Sequence, residues 1–285
     1  MTVARPDADR PHAGHRADRG IPSLAAPFAV PALLFAAFVL LPLGALALRA
    51  GADGDLLTRI GSPFVLHALR LSLLTSTVTL VLALLLGVPA AYLLARARFP
   101  GHRLLTVLIE LPMVLPPTVA GVGLLVAFGR RGVFGEWLSA VGIEIPFTTV
   151  AVILAQLFVS APFLVRSLQA GFESIDPTYE QVSATLGVSA PRTFWRVTLP
   201  LARPALLGGA VLCWTRALSE LGATLIFAGN FEGRTQTMPL AIITALESTQ
   251  GLPGAIALSV ILLAVALALL VAMRFALRRP LEVEA

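Results

Sequence analysis

Apolar residues do not alternate along this chain with polar ones; they run in six long blocks. The blocks cover about 24–48, 66–95, 104–128, 147–168, 204–228 and 254–275. Each is near the ~20 residues that a helix needs to cross ~30 Å of hydrocarbon. The pattern predicts an all-α integral membrane bundle of six transmembrane helices. The first block is too long for the core of a signal peptide and reads as a retained membrane helix. Pro27, Pro31 and Pro42 predict kinks in it. The organisation expected is a disordered tail at 1–20, the first membrane helix and an external loop at 21–65, a membrane domain at 66–275 and a second tail at 276–285. Within the membrane domain a polar stretch at 169–203 interrupts the apolar pattern, and a mixed stretch follows at 229–253.

Composition agrees. The chain is 57% hydrophobic and 13% charged, with a mean hydropathy of +0.86; soluble domains lie near 45–50% and about 25%. All 21 basic residues are Arg. Without Lys there can be no P-loop lysine and no Schiff-base lysine, so any ATP used must be bound by another chain. Cys213 is the single cysteine and rules out an intrachain disulfide.

Arginine counting sets an expected orientation. With the N-terminus inside, inner segments hold 13 Arg, outer loops hold five, and Arg70, Arg166 and Arg216 fall within spans. Both termini are therefore expected in the cytoplasm of a multi-pass cell-membrane protein. The basic charge follows membrane topology, so nucleic acid is not an expected partner.

The stretch at 169–203 carries the most specific signals. Asp176 followed by Pro177 reads as a helix start. Tyr179 to Leu186 allows about two turns, and Gly187 suits a C-terminal stop. Ser189, Ala190 and Pro191 open a second short helix ending near Leu199 and Pro200. Helix, glycine turn and helix predict a compact cytoplasmic knob; a structureless loop of this length would be uncommon.

This segment resembles the signature loop, or EAA loop, of permease subunits of bacterial ABC importers. The family pattern has Glu-Ala-Ala, three residues, Gly, nine residues, then an aliphatic residue, any residue and Leu-Pro. Here Gly187 is followed after nine residues by Val197-Thr198-Leu199-Pro200, which matches, while Gln181-Val182-Ser183 replaces Glu-Ala-Ala. Glu180 stands one position earlier and is a candidate to supply the charge. The resemblance implies a type I importer permease fold over 66–275. It also implies coupling to an ATPase through Glu180, Gln181, Val182, Ser183, Ala184, Gly187, Leu199 and Pro200.

Further segments narrow the family. Glu110-Leu-Pro-Met-Val-Leu-Pro-Pro-Thr-Val-Ala-Gly, the run from Arg216 to Asn230, and Gly233-Arg-Thr-Gln-Thr-Met-Pro-Leu together look like permeases of molybdate/tungstate importers. Sulfate importer permeases are similar. The partners so implied are two copies of an ABC ATPase subunit, a second copy of this chain, an external molybdate-binding protein and the lipid bilayer, with no cofactor and no metal.

Candidate path residues are Pro116, Pro117, Thr118, Arg216, Glu220, Thr224 and Asn230. Prolines free backbone carbonyls, which are tolerated in a membrane only where they face protein or a water-filled cavity. A plain packing kink is the alternative. Arg216 and Glu220 are four apart and share a helix face, either as a self-neutralising pair or with Arg216 lending positive potential to a dianion path. Glu110 is expected to pair with Arg96, Arg98 or Arg103. Residues 239–248 are expected to form a short interfacial, re-entrant or peripheral helix. Competing readings are a sulfate or thiosulfate importer permease, an ion-coupled secondary carrier, and a membrane enzyme, for which no nucleophile, base or metal constellation is present in the sequence.

Overall fold

A computed structural model of the chain describes residues 25–278. The tail expected at 1–20 lies outside the described residues; of the tail expected at 276–285, residues 276–278 belong to the last helix and the rest lie outside the described residues. The described residues are helical and contain no strand. They divide into two compact units, one up to Leu48 and one from Arg49 onward. The first unit contributes most of α1 (Ala25–Gly51), whose Phe28–Gly51 portion is long and apolar enough to span a membrane; Pro31 and Pro42 lie within it.

The second unit opens with α2 (Leu56–Ile60) and α3 (Pro63–Arg96). Ser62 caps α3 by accepting the Val65 N–H, and Pro63 fills the first-turn position, where no donor is needed. Next come α4 (His102–Glu110), a 3-10 turn at Leu111–Met113, α5 (Pro117–Phe128) and α6 (Gly135–Ala140). The long α7 (Thr149–Glu173) is capped by the Thr148 hydroxyl. The polar stretch forms α8 (Thr178–Thr185) and α9 (Ala190–Thr193). A π-turn at Phe194–Thr198 and the single turn α10 (Leu199–Leu201) follow. The chain ends with α11 (Arg203–Leu218), α12 (Gly222–Ala228), α13 (Met238–Glu247) and α14 (Gly251–Arg278).

Four helices, α1, α3, α7 and α14, are unbroken candidates to cross the membrane; counting each bent pair as one span raises the number to six. The third expected span is two pieces, His102–Met113 and Pro117–Phe128, meeting at 114°. The Pro116-Pro117 pair explains the break, since proline removes a donor and clashes with the preceding turn. The second bent pair is Ala190–Leu201 with Arg203–Leu218, bent by 75°, and the fifth expected span is divided again toward its other end. α11 stops at Leu218, and α12 begins at Gly222 after a turn at Ser219-Glu220-Leu221.

α3, α7 and α11 pack around a core that includes Ala83, Ala91, Leu164, Leu168, Phe172 and Cys213. Small residues let the helices approach, as expected where lipid removes the hydrophobic drive between them. Gly87 faces Val165, and Gly209 faces Ser167 and Leu164. Buried polar groups add cross-links. Trp214 Nε1 donates to Ser76 Oγ at 2.9 Å, and Thr79 Oγ1 donates to Gln156 Oε1 at 3.2 Å. α13 is buried rather than peripheral. Met238, Leu240, Ala241 and Ala245 are fully enclosed, and the Met238 N–H donates to Ser72 Oγ on α3 at 2.7 Å.

Candidate functional site

Two places gather the candidate residues: the knob formed by α8 to α10, and the junction where the two broken helices meet.

The knob is built from its caps. Asp176 Oδ1 accepts the Thr178 N–H at 2.8 Å, and this backbone hydrogen bond holds the carboxyl below the usual carboxylate range. At the other end of α8, Gly187 takes φ +76°, a conformation in which a Cβ would be strained. The Val188 N–H bonds Ser183 O and the Gly187 N–H bonds Ala184 O, the paired closure of a Schellman motif. The chain then turns back through α9. Ser183 and Thr193 hydroxyls meet at 2.7 Å and tie the two helices together.

The knob is fastened to α3 through Glu180. Its Oε1 lies 3.3 Å from Arg96 Nε and accepts the Thr198 hydroxyl at 2.9 Å; its Oε2 accepts from Tyr92 at 3.5 Å. Arg96 also donates to Ile175 O at 3.1 Å. Tyr92 packs edge-on against Phe172 and Phe194, with centroids at 5.5 and 5.0 Å. Glu180 thus faces the protein rather than the outer surface of the knob. Ser183 is also internal, whereas Gln181, Val182, Ala184 and Pro200 are exposed and Leu199 is half-buried. Tyr179, Val182 and Leu186 form an apolar exposed face, each more than half accessible.

At the junction the two breaks pack on each other. A Cβ on Gly222 would lie 2.8 Å from Pro117 Cβ, and one on Gly121 would lie 2.9 Å from Ala223 O. These glycines are needed for the close approach of α5 to α12. Arg216 Nη1 lies 2.9 Å from Glu220 Oε2, and Glu220, 1% exposed, turns its Oε1 to the Ala223 N–H at 2.8 Å. The carboxylate therefore both neutralises Arg216 and caps α12, where an anion at a helix N-terminus is favoured. Thr224 is fully buried, and its hydroxyl has no partner. Pro116, Pro117 and Thr118 are exposed. Asn230 is not at the junction. It lies in the connection to α13, donating to Thr244 and accepting from Gln236.

Glu110 does not pair with Arg96, Arg98 or Arg103. Its Oε1 lies 3.3 Å from Arg166 Nε on α7, while Arg96 is engaged by Glu180. Tyr92 and Thr198 were not candidates from the sequence, and Arg96 was one only as a partner for Glu110. Their only signal there is position: the end of a long apolar block, and the residue before Leu199-Pro200.

Together these features define a multi-pass membrane protein whose helical bundle carries a fastened knob, the type I ABC importer permease fold. Solved structures share it. A bacterial alginate ABC transporter in complex with alginate-bound periplasmic protein matches with a TM-score of 0.69 at 18% identity, over 90% of this chain and 94% of that one. The MetNI methionine ABC transporter in its inward-facing form matches with 0.59 at 18% identity, over 75% and 95%.

Residues 83–281 match the model of the binding-protein-dependent transport system inner membrane component family, and the chain belongs to that family. It is 46% identical over 237 residues to the molybdenum transport system permease protein ModB of Mycobacterium tuberculosis, covering 83% of this chain and 89% of that one. It is 40% identical to ModB of Escherichia coli K12 over 202 residues, covering 70% and 88%. It is 36% identical to the sulfate transport system permease protein CysT of Escherichia coli K12 over 241 residues, covering 84% and 87%.

Proposed function

We propose that this chain is the permease subunit of an ATP-driven importer of molybdate, or of its close analogue tungstate. The observation that carries the substrate is the gap in identity, 46% to a molybdenum permease against 36% to a sulfate permease, each over more than four-fifths of this chain. Two copies of the chain form the path, each presenting its knob to one ATPase subunit on the cytoplasmic side, where both termini lie. An external binding protein delivers the oxyanion from the other side.

The knob supports this reading in two ways. The exposed Tyr179, Val182 and Leu186 offer an apolar face for a partner. The Glu180 fastening passes movement of that face to α3 without slack. ATP binding and binding-protein docking then favour different conformers of the bundle, as any driven switch requires. Nucleotide chemistry belongs to the partner, because the chain has no Lys for a phosphate loop.

The test is reconstitution in liposomes with the cognate ATPase and binding protein. ATP hydrolysis stimulated by molybdate-loaded and not by sulfate-loaded binding protein is expected. The reverse preference overturns the substrate assignment in favour of sulfate. Failure to associate with any ATPase overturns the importer reading.

A further inference from the structure

The longest helix overruns the bilayer. α3 has 34 residues and so extends about 51 Å, some 20 Å more than the hydrocarbon layer. If the excess is shared between its ends, the last two turns, from about Pro89 onward, stand among the lipid headgroups. A cavity of about 440 Å³ opens at this level between α3 and the helix returning from the knob. Pro89 and Leu93 form one wall; Pro191, Phe194 and Trp195 form the other. The lining is almost wholly apolar, and Arg96 sits at its edge with its guanidinium already engaged by Glu180.

Two further observations indicate what fills it. Leu85, Leu86 and Leu93 are exposed on α3, and Leu93 also lines the cavity, so an apolar track leads along the helix to it. Trp195, 66% exposed, stands at the rim, the position where an amphipathic indole is favoured in membranes. Arg192 and Arg196 are the chain neighbours of the lining residues Pro191 and Trp195. Both are exposed, and neither has an acidic partner within 4 Å among the described residues.

We propose that this cleft binds one anionic glycerophospholipid. Its acyl chain lies against Pro89, Leu93 and Phe194, and its phosphate is held by Arg192 and Arg196. The leaflet concerned is the cytoplasmic one, which carries the anionic lipids; this rests on the orientation given under Proposed function. The two walls belong to α3 and to the knob, the same two pieces that Glu180 fastens. A bound lipid therefore braces the knob against α3, and the coupling of the importer depends on the lipid around it.

The test uses the assembled permease and ATPase in nanodiscs of phosphatidylcholine with or without phosphatidylglycerol. Native mass spectrometry should find one phosphatidylglycerol retained per permease chain. Arg192→Gln and Arg196→Gln should each lower that retention about fivefold. Binding-protein-stimulated ATP hydrolysis should fall in pure phosphatidylcholine, and in the double variant it should no longer respond to phosphatidylglycerol. Equal retention of the neutral lipid, or retention indifferent to both substitutions, overturns the proposal. So does a photo-cross-linking residue at position 195 that captures a second permease chain or the ATPase in place of lipid. If phosphatidylglycerol is retained by a chain that associates with no ATPase, the importer reading fails and the lipid site stands.

Discussion

Arg96 and Glu180 lie 84 positions apart in sequence and 3.3 Å apart in space, and the same carboxylate oxygen accepts the Thr198 hydroxyl. One side chain thereby joins the end of α3, the first knob helix and the return segment. The family pattern places glutamate one position later, at Gln181, which here points outward. The fastening and the exposed apolar face are thus carried by different residues.

Removing that carboxylate should separate binding from coupling. Glu180→Gln leaves Tyr179, Val182 and Leu186 in place, so the ATPase should still associate. The loss of a charge-assisted, part-buried cluster should cost about 1–3 kcal/mol of stability. Transport per ATP hydrolysed in liposomes should fall several-fold. Unchanged stoichiometry would show that the Glu180 fastening plays no part in coupling.

Gly187 has open space around its α-carbon, so only backbone conformation matters there. Gly187→Ala should therefore cost about 1–2 kcal/mol. The amides of Gly187 and Val188, which close the turn, should exchange with solvent several-fold faster. Wild-type protection would mean that the turn relaxes without strain.

The pair at the junction can be tested by removing one or both charges. Arg216→Gln strands a carboxylate that is 1% exposed, which should cost about 3–5 kcal/mol. Arg216→Gln with Glu220→Gln should recover most of that loss in thermal unfolding. A recovered double variant that transports at the wild-type rate would make Arg216 purely structural. A folded variant that fails to transport would show that the dianion needs its potential.

Gly121 and Gly123 lie two positions apart on α5 and should respond in opposite ways. A methyl at 121 meets Ile226 Cβ at 2.8 Å and the backbone of Ala223, whereas one at 123 meets nothing within 4 Å. Gly121→Ala should lower thermal stability by about 1–3 kcal/mol. Gly123→Ala should leave it equal or raise it by up to about 1 kcal/mol. Equal effects would sink the close approach of α5 to α12.

Asp176 gives the knob a pH limit. Its folded-state value is depressed, so its contribution is present above the unfolded value of about 3.9 and is lost as pH falls through the lower folded value. Protection of the α8 amides should therefore be flat from pH 8 to pH 5. A decline within that window would assign the cap to another group.

The knob was legible in the sequence because its signals are local: Asp176-Pro177 opens a helix, Gly187 closes it, and Pro191 opens the next. The broken third span was legible for the same reason, through Pro116-Pro117. The break at Ser219–Leu221 was not. No proline marks it, and apolar residues continue on both sides; its cause is a buried Glu220 that caps α12 while pairing Arg216. Charge partners were partly legible. Arg216 and Glu220 are a helical turn apart, but Glu110–Arg166 and Arg96–Glu180 join distant elements, and no spacing predicts them. α13 appeared as a mildly apolar stretch; its enclosed Met238, Leu240, Ala241 and Ala245 and its bond to Ser72 show that it is held inside.

The π-turn at Phe194–Thr198 has a consequence for the length of the chain. It holds one residue more than an α-helical turn would, and the wider turn absorbs that residue so that the rotational phase between the knob and α11 is kept. Deleting a single residue there would restore a regular helix with its phase nearly unchanged, whereas winding all five residues into a regular helix would carry Thr198 about 90° away from Glu180. Every position from Leu199 onward would inherit the same rotation. Among the described residues, then, this is a place where the alignment of the knob with the membrane helix depends on one wide turn being kept wide.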